Sequence, residues 1–258
     1  MKKILYFLAG AALLSATACN KDDENFDDVT LNVAQTYTIP NGTGTEWQSY
    51  NDYVATVKGN VVTGVIAGET KIESALGSFM VKVVPTNNMF LEPCLNWGNS
   101  KSEVKKFMES YTGFVLADED DNELTYTGTG DVFMYLYEFG SKDNDLDTSY
   151  IAVDSDKVTA AQFSDYMNQR YIYVSDDDEN DIMYMVSTDF KTVAGIYVIE
   201  LDGDYYWAAE YIPYTDATRA PENIKRAFDG KVRNAKFQKA TSVKAVNLQK
   251  QLKAEFAK

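Results

Sequence analysis

The spacing of apolar and polar positions divides the chain into two textures that meet near Pro85. Before it, short β-branched runs alternate with turns containing glycine. Trp47-Gln48-Ser49, Val54 to Val57, Val61 to Gly64, Gly68 to Ile72 and Phe79 to Val83 follow one another with no helical period between them. Gly59 and Asn60 suit a hairpin turn, and Gly64 and Gly68 bracket the next connection. Several short strands without helices predict a small all-β sandwich over residues 29–85.

After Pro85 the period changes. Val104, Phe107 and Met108 share one side of a helix predicted from Ser102 to Ser110, and Phe163, Tyr166 and Met167 repeat that spacing from Thr159 to Gln169. Each helix precedes about four strands. The first set is Gly113 to Ala117, Leu124 to Gly128, Asp131 to Phe139 and Ser149 to Val153; the second is Tyr171 to Ser175, Asp181 to Ser187, Thr192 to Leu201 and Tyr205 to Tyr214. Acidic runs stand at matching places, Asp118 to Asp121 and Asp176 to Glu179. The expected fold is therefore the β-sandwich followed by an α+β domain, residues 86–215, of two helix-plus-four-strand antiparallel repeats, about 100–154 and 158–214.

Strand alternation selects the candidate binding residues. In the strand from Asp131, Val132, Met134 and Leu136 share one face, suited to packing under a helix, and Phe133, Tyr135, Tyr137 and Phe139 share the other. Tyr205, Trp207 and Tyr211 share one parity of the last strand. Phe133, Tyr135, Tyr137, Tyr205, Trp207 and Tyr211 thus form a candidate aromatic face for a glycan or a protein ligand. The competing reading makes them a second core, covered by the tail helix or by the β-sandwich.

The two ends are set apart by charge and hydropathy. Met1-Lys2-Lys3 is basic and Ile4 to Leu14 is apolar except Tyr6, the layout of an export signal over residues 1–18 and too short for the roughly 20 residues that span a bilayer. Asn20-Lys21-Asp22-Asp23-Glu24 predicts a flexible tether over residues 19–28. The formal net charge is −15, yet the segment 216–258 is basic and predicts a helical tail through Ile224, Phe228, Val243, Val246, Leu248, Leu252 and Phe256. That tail is expected to pack on the acidic body, a membrane-lying amphipathic helix being the rival.

Composition narrows the chemistry. The chain has no histidine, which removes histidine-based triads and histidine-ligated zinc. Nucleic acid is not expected as a partner of an acidic body. Asp143, Asp145, Asp147 and Asp154 have calcium-like spacing, but Thr148 stands where an EF-hand loop needs glycine, so no metal is expected. Glu138, Glu200 and Glu210 lie on predicted strands and are read as solvent-facing, without a mark that selects a catalytic pair. Neither enzyme activity nor a cofactor is expected. Cys94, with no second thiol beyond Cys19, reads as a small buried residue.

Three resemblances add to this. Ser15-Ala16-Thr17-Ala18-Cys19 resembles a lipobox, which implies lipid on Cys19 and a membrane anchor, although Ala16 stands where lipoboxes usually carry leucine. Lys21 followed by acids is similar to the surface-export signal of Bacteroidetes lipoproteins, which implies the outer membrane and the cell surface, with a periplasm-facing position as the alternative. The order of strands and turns over residues 29–85 resembles a group 2 bacterial Ig-like domain, and the duplicated α+β part resembles the β-lactamase inhibitor protein in topology only. Together they imply a surface-anchored, non-enzymatic binding lipoprotein, adhesion-like or glycan-binding. The alternative is an envelope protein that binds another protein as a subunit or inhibitor.

Overall fold

The computed structural model describes residues 26–140, 145–177, 181–215 and 240–257. It is β-rich, with fifteen strands and three helices among the described residues. None of these helices is long and apolar enough to cross a membrane.

The first seven strands are β1 (Val29–Asn32), β2 (Thr36–Thr38), β3 (Gln48–Ser49), β4 (Ala55–Lys58), β5 (Val61–Gly64), β6 (Gly68–Ser74) and β7 (Gly77–Val84). They form a four-stranded sheet, β1-β7-β6-β3, and a three-stranded sheet, β2-β5-β4. Both sheets turn apolar side chains onto one core that includes Leu31, Trp47, Val62, Ile72, Phe79, Val81 and Val83. β7 shows the cause: Phe79, Val81 and Val83 point inward while Met80 and Lys82 point out, the period of a half-buried strand. Gly59, at φ +62°, turns β4 back onto β5 at the two-residue hairpin.

The second part runs α1 (Lys101–Glu109), β8 (Val115–Glu119), β9 (Glu123–Thr127), β10 (Val132–Phe139), β11 (Leu146–Asp154), α2 (Ala160–Asn168), β12 (Tyr171–Asp177), β13 (Ile182–Ser187), β14 (Thr192–Leu201), β15 (Asp204–Pro213) and α3 (Val243–Phe256). All eight strands join one antiparallel sheet in the order β12-β13-β14-β15-β11-β10-β9-β8. Two consecutive meanders meet where β11 pairs with β15, from Ser149 opposite Tyr211 to Asp154 opposite Tyr206. Each of the first two helices starts at a hydroxyl residue. The Ser100 amide donates to Glu103 Oε2 at 2.8 Å and the Thr159 amide to Gln162 Oε1 at 3.0 Å, so a side chain three residues on satisfies each N-cap.

All three helices pack on one face of this sheet. Val104 and Met108 of α1, Phe163, Tyr166 and Met167 of α2, and Ala245, Leu252 and Phe256 of α3 enter a single core with the inward residues of the strands. The opposite face is buried too at Tyr184, Val186, Val193, Tyr197, Ile199, Ala208 and Ile212. In α3 the buried positions are Ala245, Gln249, Leu252 and Phe256, whereas Val243, expected on the packed side, is 80% exposed. Its cations reach the body: Lys253 lies 3.8 Å from Asp176 and 3.5 Å from Asp181, and Lys244 lies 3.8 Å from Asp156. Ile224 and Phe228 lie outside the described residues.

The two parts are joined by polar bonds centred on the end of α2. Gln169 Oε1 accepts from the Thr86 amide at 2.7 Å, the Thr86 hydroxyl at 3.1 Å and the Asn87 amide at 3.0 Å, while its carbonyl accepts from the Ala67 amide at 2.8 Å. Thr188 completes the junction, donating through its hydroxyl to the Ala67 carbonyl at 3.0 Å and accepting at its own carbonyl from Asn51 Nδ2 at 2.9 Å. Gly68 is required by this approach, because a Cβ there would lie 2.4 Å from Thr188 Oγ1 and 2.9 Å from Val54. Gly68→Ala should therefore cost about 1–3 kcal/mol in urea unfolding, and Thr188→Ala in the same chain should recover part of that loss. A Gly68→Ala protein with unchanged stability would contradict the close contact.

Candidate functional site

The six candidate aromatic residues do not form one open surface, which corrects the expectation of an exposed face. Tyr135, Tyr137, Trp207 and Tyr211 are all at most 1% exposed and belong to the core beneath the helices. Alternation does group them, but theirs is the covered row, while Met134 and Leu136 face the other way. Phe133 departs from the row because the register slips between Val132 and Met134; it lies on the opposite face, 45% exposed, with its ring 4.6 Å from that of Tyr206. Tyr205 is covered in part by the start of α3, where its hydroxyl meets Ser242 Oγ at 2.8 Å and Lys244 Nζ lies 4.5 Å from its ring centre.

The buried tyrosines have a different task. Residues 85–99, between β7 and α1, have no strand or helix of their own, so their backbone groups need other partners. Tyr135 donates to the Leu91 carbonyl at 2.8 Å, Ser149 donates to the Cys94 carbonyl at 2.7 Å, and the Cys94 amide donates to the Tyr137 oxygen at 3.3 Å. Tyr171 donates to Glu92 Oε1 at 2.6 Å, and Trp97 Nε1 donates to Thr192 Oγ1 at 3.0 Å. Burial pushes the Tyr135, Tyr137 and Tyr171 hydroxyls well above their ordinary range, which keeps them protonated as donors. Burial likewise raises the Cys94 thiol, so it is not a poised nucleophile.

This fixed segment lines a groove at the junction of the two parts. One stretch, of about 550 Å3, is walled by Ala67 and Gly68, by Glu92, Leu95, Asn96 and Trp97, by Arg170 and Tyr171, and by the β13–β14 turn from Ser187 to Thr192. A second stretch, of about 560 Å3, shares Ala67, Glu92 and Arg170 with the first and continues past Asn88, Phe90 and Tyr111. Arg170 is held by its donation to the Tyr166 carbonyl at 3.1 Å and to Asn88 Oδ1 at 2.8 Å, with its guanidinium 3.8 Å from the Tyr166 ring centre. In the turn, Asp189 Oδ1 accepts from the Ser187 hydroxyl at 2.6 Å and the Lys191 amide at 3.1 Å. The lining offers fixed donors, acceptors and one indole, with Arg170 and Lys191 balancing Glu92 and Asp189. Alternation within strands could not find this site, because its walls come from four segments far apart in sequence.

Among the described residues no group of acidic or cysteine side chains could hold a metal ion, and Asp143 lies outside them. No protein-family model matches the chain, and no curated protein matches it either.

Glu210 corrects a second expectation. Instead of facing solvent it is 1% exposed on β15, accepting from the Tyr150 hydroxyl at 2.9 Å and the Tyr197 hydroxyl at 3.0 Å. Burial pushes its carboxyl up to about 7, opposed by those two donors and reinforced by Glu138. It does not line the groove, so its proton is a matter of stability. The unfolded carboxyl titrates near 4.5. Between that pH and about 7 the folded chain keeps a proton that the unfolded chain has lost, so this contribution is complete below the lower value and is lost as pH rises through the upper one. Urea unfolding should show roughly 1–3 kcal/mol less stability at pH 8 than at about pH 5.5, and Glu210→Gln should flatten that difference. An unchanged slope in the variant would assign the dependence to other groups.

Proposed function

We propose that this chain is a surface-anchored, non-enzymatic binding lipoprotein whose head takes a neutral glycan in the junction groove. Lipid on Cys19 would hold it in the outer membrane with residues 19–28 as tether and the acidic signal after Lys21 directing it to the cell surface. The first seven strands then serve as an Ig-like stalk domain, and the two helix-plus-four-strand repeats form the adhesion-like head.

The observation that carries this reading is the meeting of Trp97, Asn96, Glu92 and Arg170 in one groove with balanced charge. An indole gives a flat apolar surface for a sugar ring, and immobilised polar groups give hydroxyls fixed partners without a further ordering cost. A lining with equal numbers of cationic and anionic side chains favours an uncharged polyol over an ion. The sequence lacks histidine, and Glu210, whose buried carboxyl is pushed up to about 7, stands outside the groove, which supports a binding role rather than catalysis.

A glycan array probed with the chain from Asp27 to Lys258 tests the reading. Binding is expected, and Trp97→Ala and Glu92→Gln should each weaken it by about tenfold or more. Glu92→Gln, which keeps an acceptor for Tyr171, should leave the urea midpoint close to wild type and so separates a lost sugar contact from lost packing. Trp207→Ala is the contrasting control: it removes a buried indole whose Nε1 donates to the Val158 carbonyl at 2.7 Å, and should cost about 3–5 kcal/mol of stability. Absence of binding to any glycan, or full binding by both groove variants, would reject the groove as a sugar site.

A further inference from the structure

The eight-stranded sheet has two margins, and they are treated differently. At β12, Tyr171 and Asp177 are buried, Tyr173 stacks on Phe256 of α3 at 6.2 Å, and Asp176 faces Lys253. At β8 all five residues are exposed, with Val115 at 62% and Leu116 at 39%. An edge strand presents main-chain donors and acceptors to solvent; β8 carries a bulge and two acids and ties its Glu119 amide to Asp118 Oδ1 at 3.0 Å, but it has neither the lysine nor the proline that commonly blunts such an edge. A register slip between Leu116 and Asp118 separates an aliphatic half from an acidic half. The acidic half continues into Asp120 and Asp121 and is only partly offset: Lys105 pairs with Glu119 at 2.6 Å, and Lys101 Nζ donates to the Asp120 carbonyl.

We propose that β8 is a docking edge for an extended, basic segment of a partner protein, which would add to the sheet as a ninth strand. Main-chain hydrogen bonds to β8 would give affinity, aliphatic side chains would lie beside Val115 and Leu116, and lysines or arginines would face Asp118, Asp120 and Asp121. Charge selects this occupant over a second copy of the chain. Two copies joined at β8 would bring together two acidic strands on bodies of formal net charge −15 each, whereas a basic segment is steered toward the same edge.

The full chain, purified in detergent, can be titrated with an eight-residue peptide alternating valine and lysine, and with the same peptide carrying glutamate for lysine. Fluorescence anisotropy should show the lysine peptide binding at least about tenfold tighter, with affinity falling as salt rises. Hydrogen exchange should slow at amides 113–120 in the complex. Leu116→Lys, and separately the pair Asp118→Asn with Asp120→Asn, should each weaken binding by about tenfold or more. Equal affinity for both peptides, or protection elsewhere than β8, overturns the proposal. So does a concentration-dependent dimer abolished by Leu116→Lys, which would make a second copy the occupant. None of these results depends on whether the groove binds sugar.

Discussion

The architecture around the groove depends on buried tyrosine hydroxyls that satisfy the backbone of residues 85–99. A segment of that length with no regular structure, packed against a sheet, would leave several amides and carbonyls without partners, each at a cost of about 1–3 kcal/mol. Tyr135, Tyr137 and Ser149 supply those partners from β10 and β11, and Tyr171 fixes Glu92 from β12. Ser149 reaches the Cys94 carbonyl directly, whereas the Leu91 carbonyl is met by the longer Tyr135 side chain. Tyrosine adds a ring of core area beneath the hydroxyl, so one residue both fills the space under the helices and ties down the segment above it.

That solution explains the aromatic density of the strands and why it misleads as a sign of a binding face. Alternation along β10 and β15 correctly groups Tyr135 with Tyr137 and Trp207 with Tyr211, since a pleated strand must send them to one side. It carries no information on which side the helices cover. Met134 and Leu136 look like the better core residues, and only the irregular segment, whose polar needs cannot be read from its own composition, turns the balance toward the tyrosines. Phe133 shows a second limit: a single slip in register moves one residue to the other face, and nothing in Val132-Phe133-Met134 announces it.

The elements themselves were legible for the opposite reason. The helices predicted from Ser102 to Ser110 and from Thr159 to Gln169 carry apolar side chains at helical spacing and form as Lys101–Glu109 and Ala160–Asn168. The span Thr192 to Leu201 is rich in strand formers at Thr192, Val193, Ile196, Tyr197, Val198 and Ile199. These are local signals that need no knowledge of the neighbours. The groove is not local. Ala67, Trp97, Arg170 and Thr188 are brought together by bonds between distant segments, those of Gln169 with Thr86, Asn87 and Ala67, of Thr188 with Ala67 and Asn51, and of Trp97 with Thr192, and Gly68 admits the Thr188 side chain. Glu210 was hidden similarly, since its partners Tyr150 and Tyr197 lie on neighbouring strands and its parity alone marks it neither as buried nor as exposed.

Charge distributes the two proposed interactions over different parts of the molecule. A body with a large acidic excess repels anions at long range and draws cations, yet the groove sets Arg170 and Lys191 against Glu92 and Asp189 and so has little charge of its own to hold an ion. An uncharged polyol is indifferent to the outer field and can use the fixed donors and acceptors inside. At β8 the field is not cancelled locally, because Asp118, Asp120 and Asp121 outnumber the lysines of α1 that reach them. A cationic strand therefore gains there what it could not gain in the groove. Under the two proposals, the same net charge would leave the groove to neutral ligands and make the exposed sheet edge selective for basic ones.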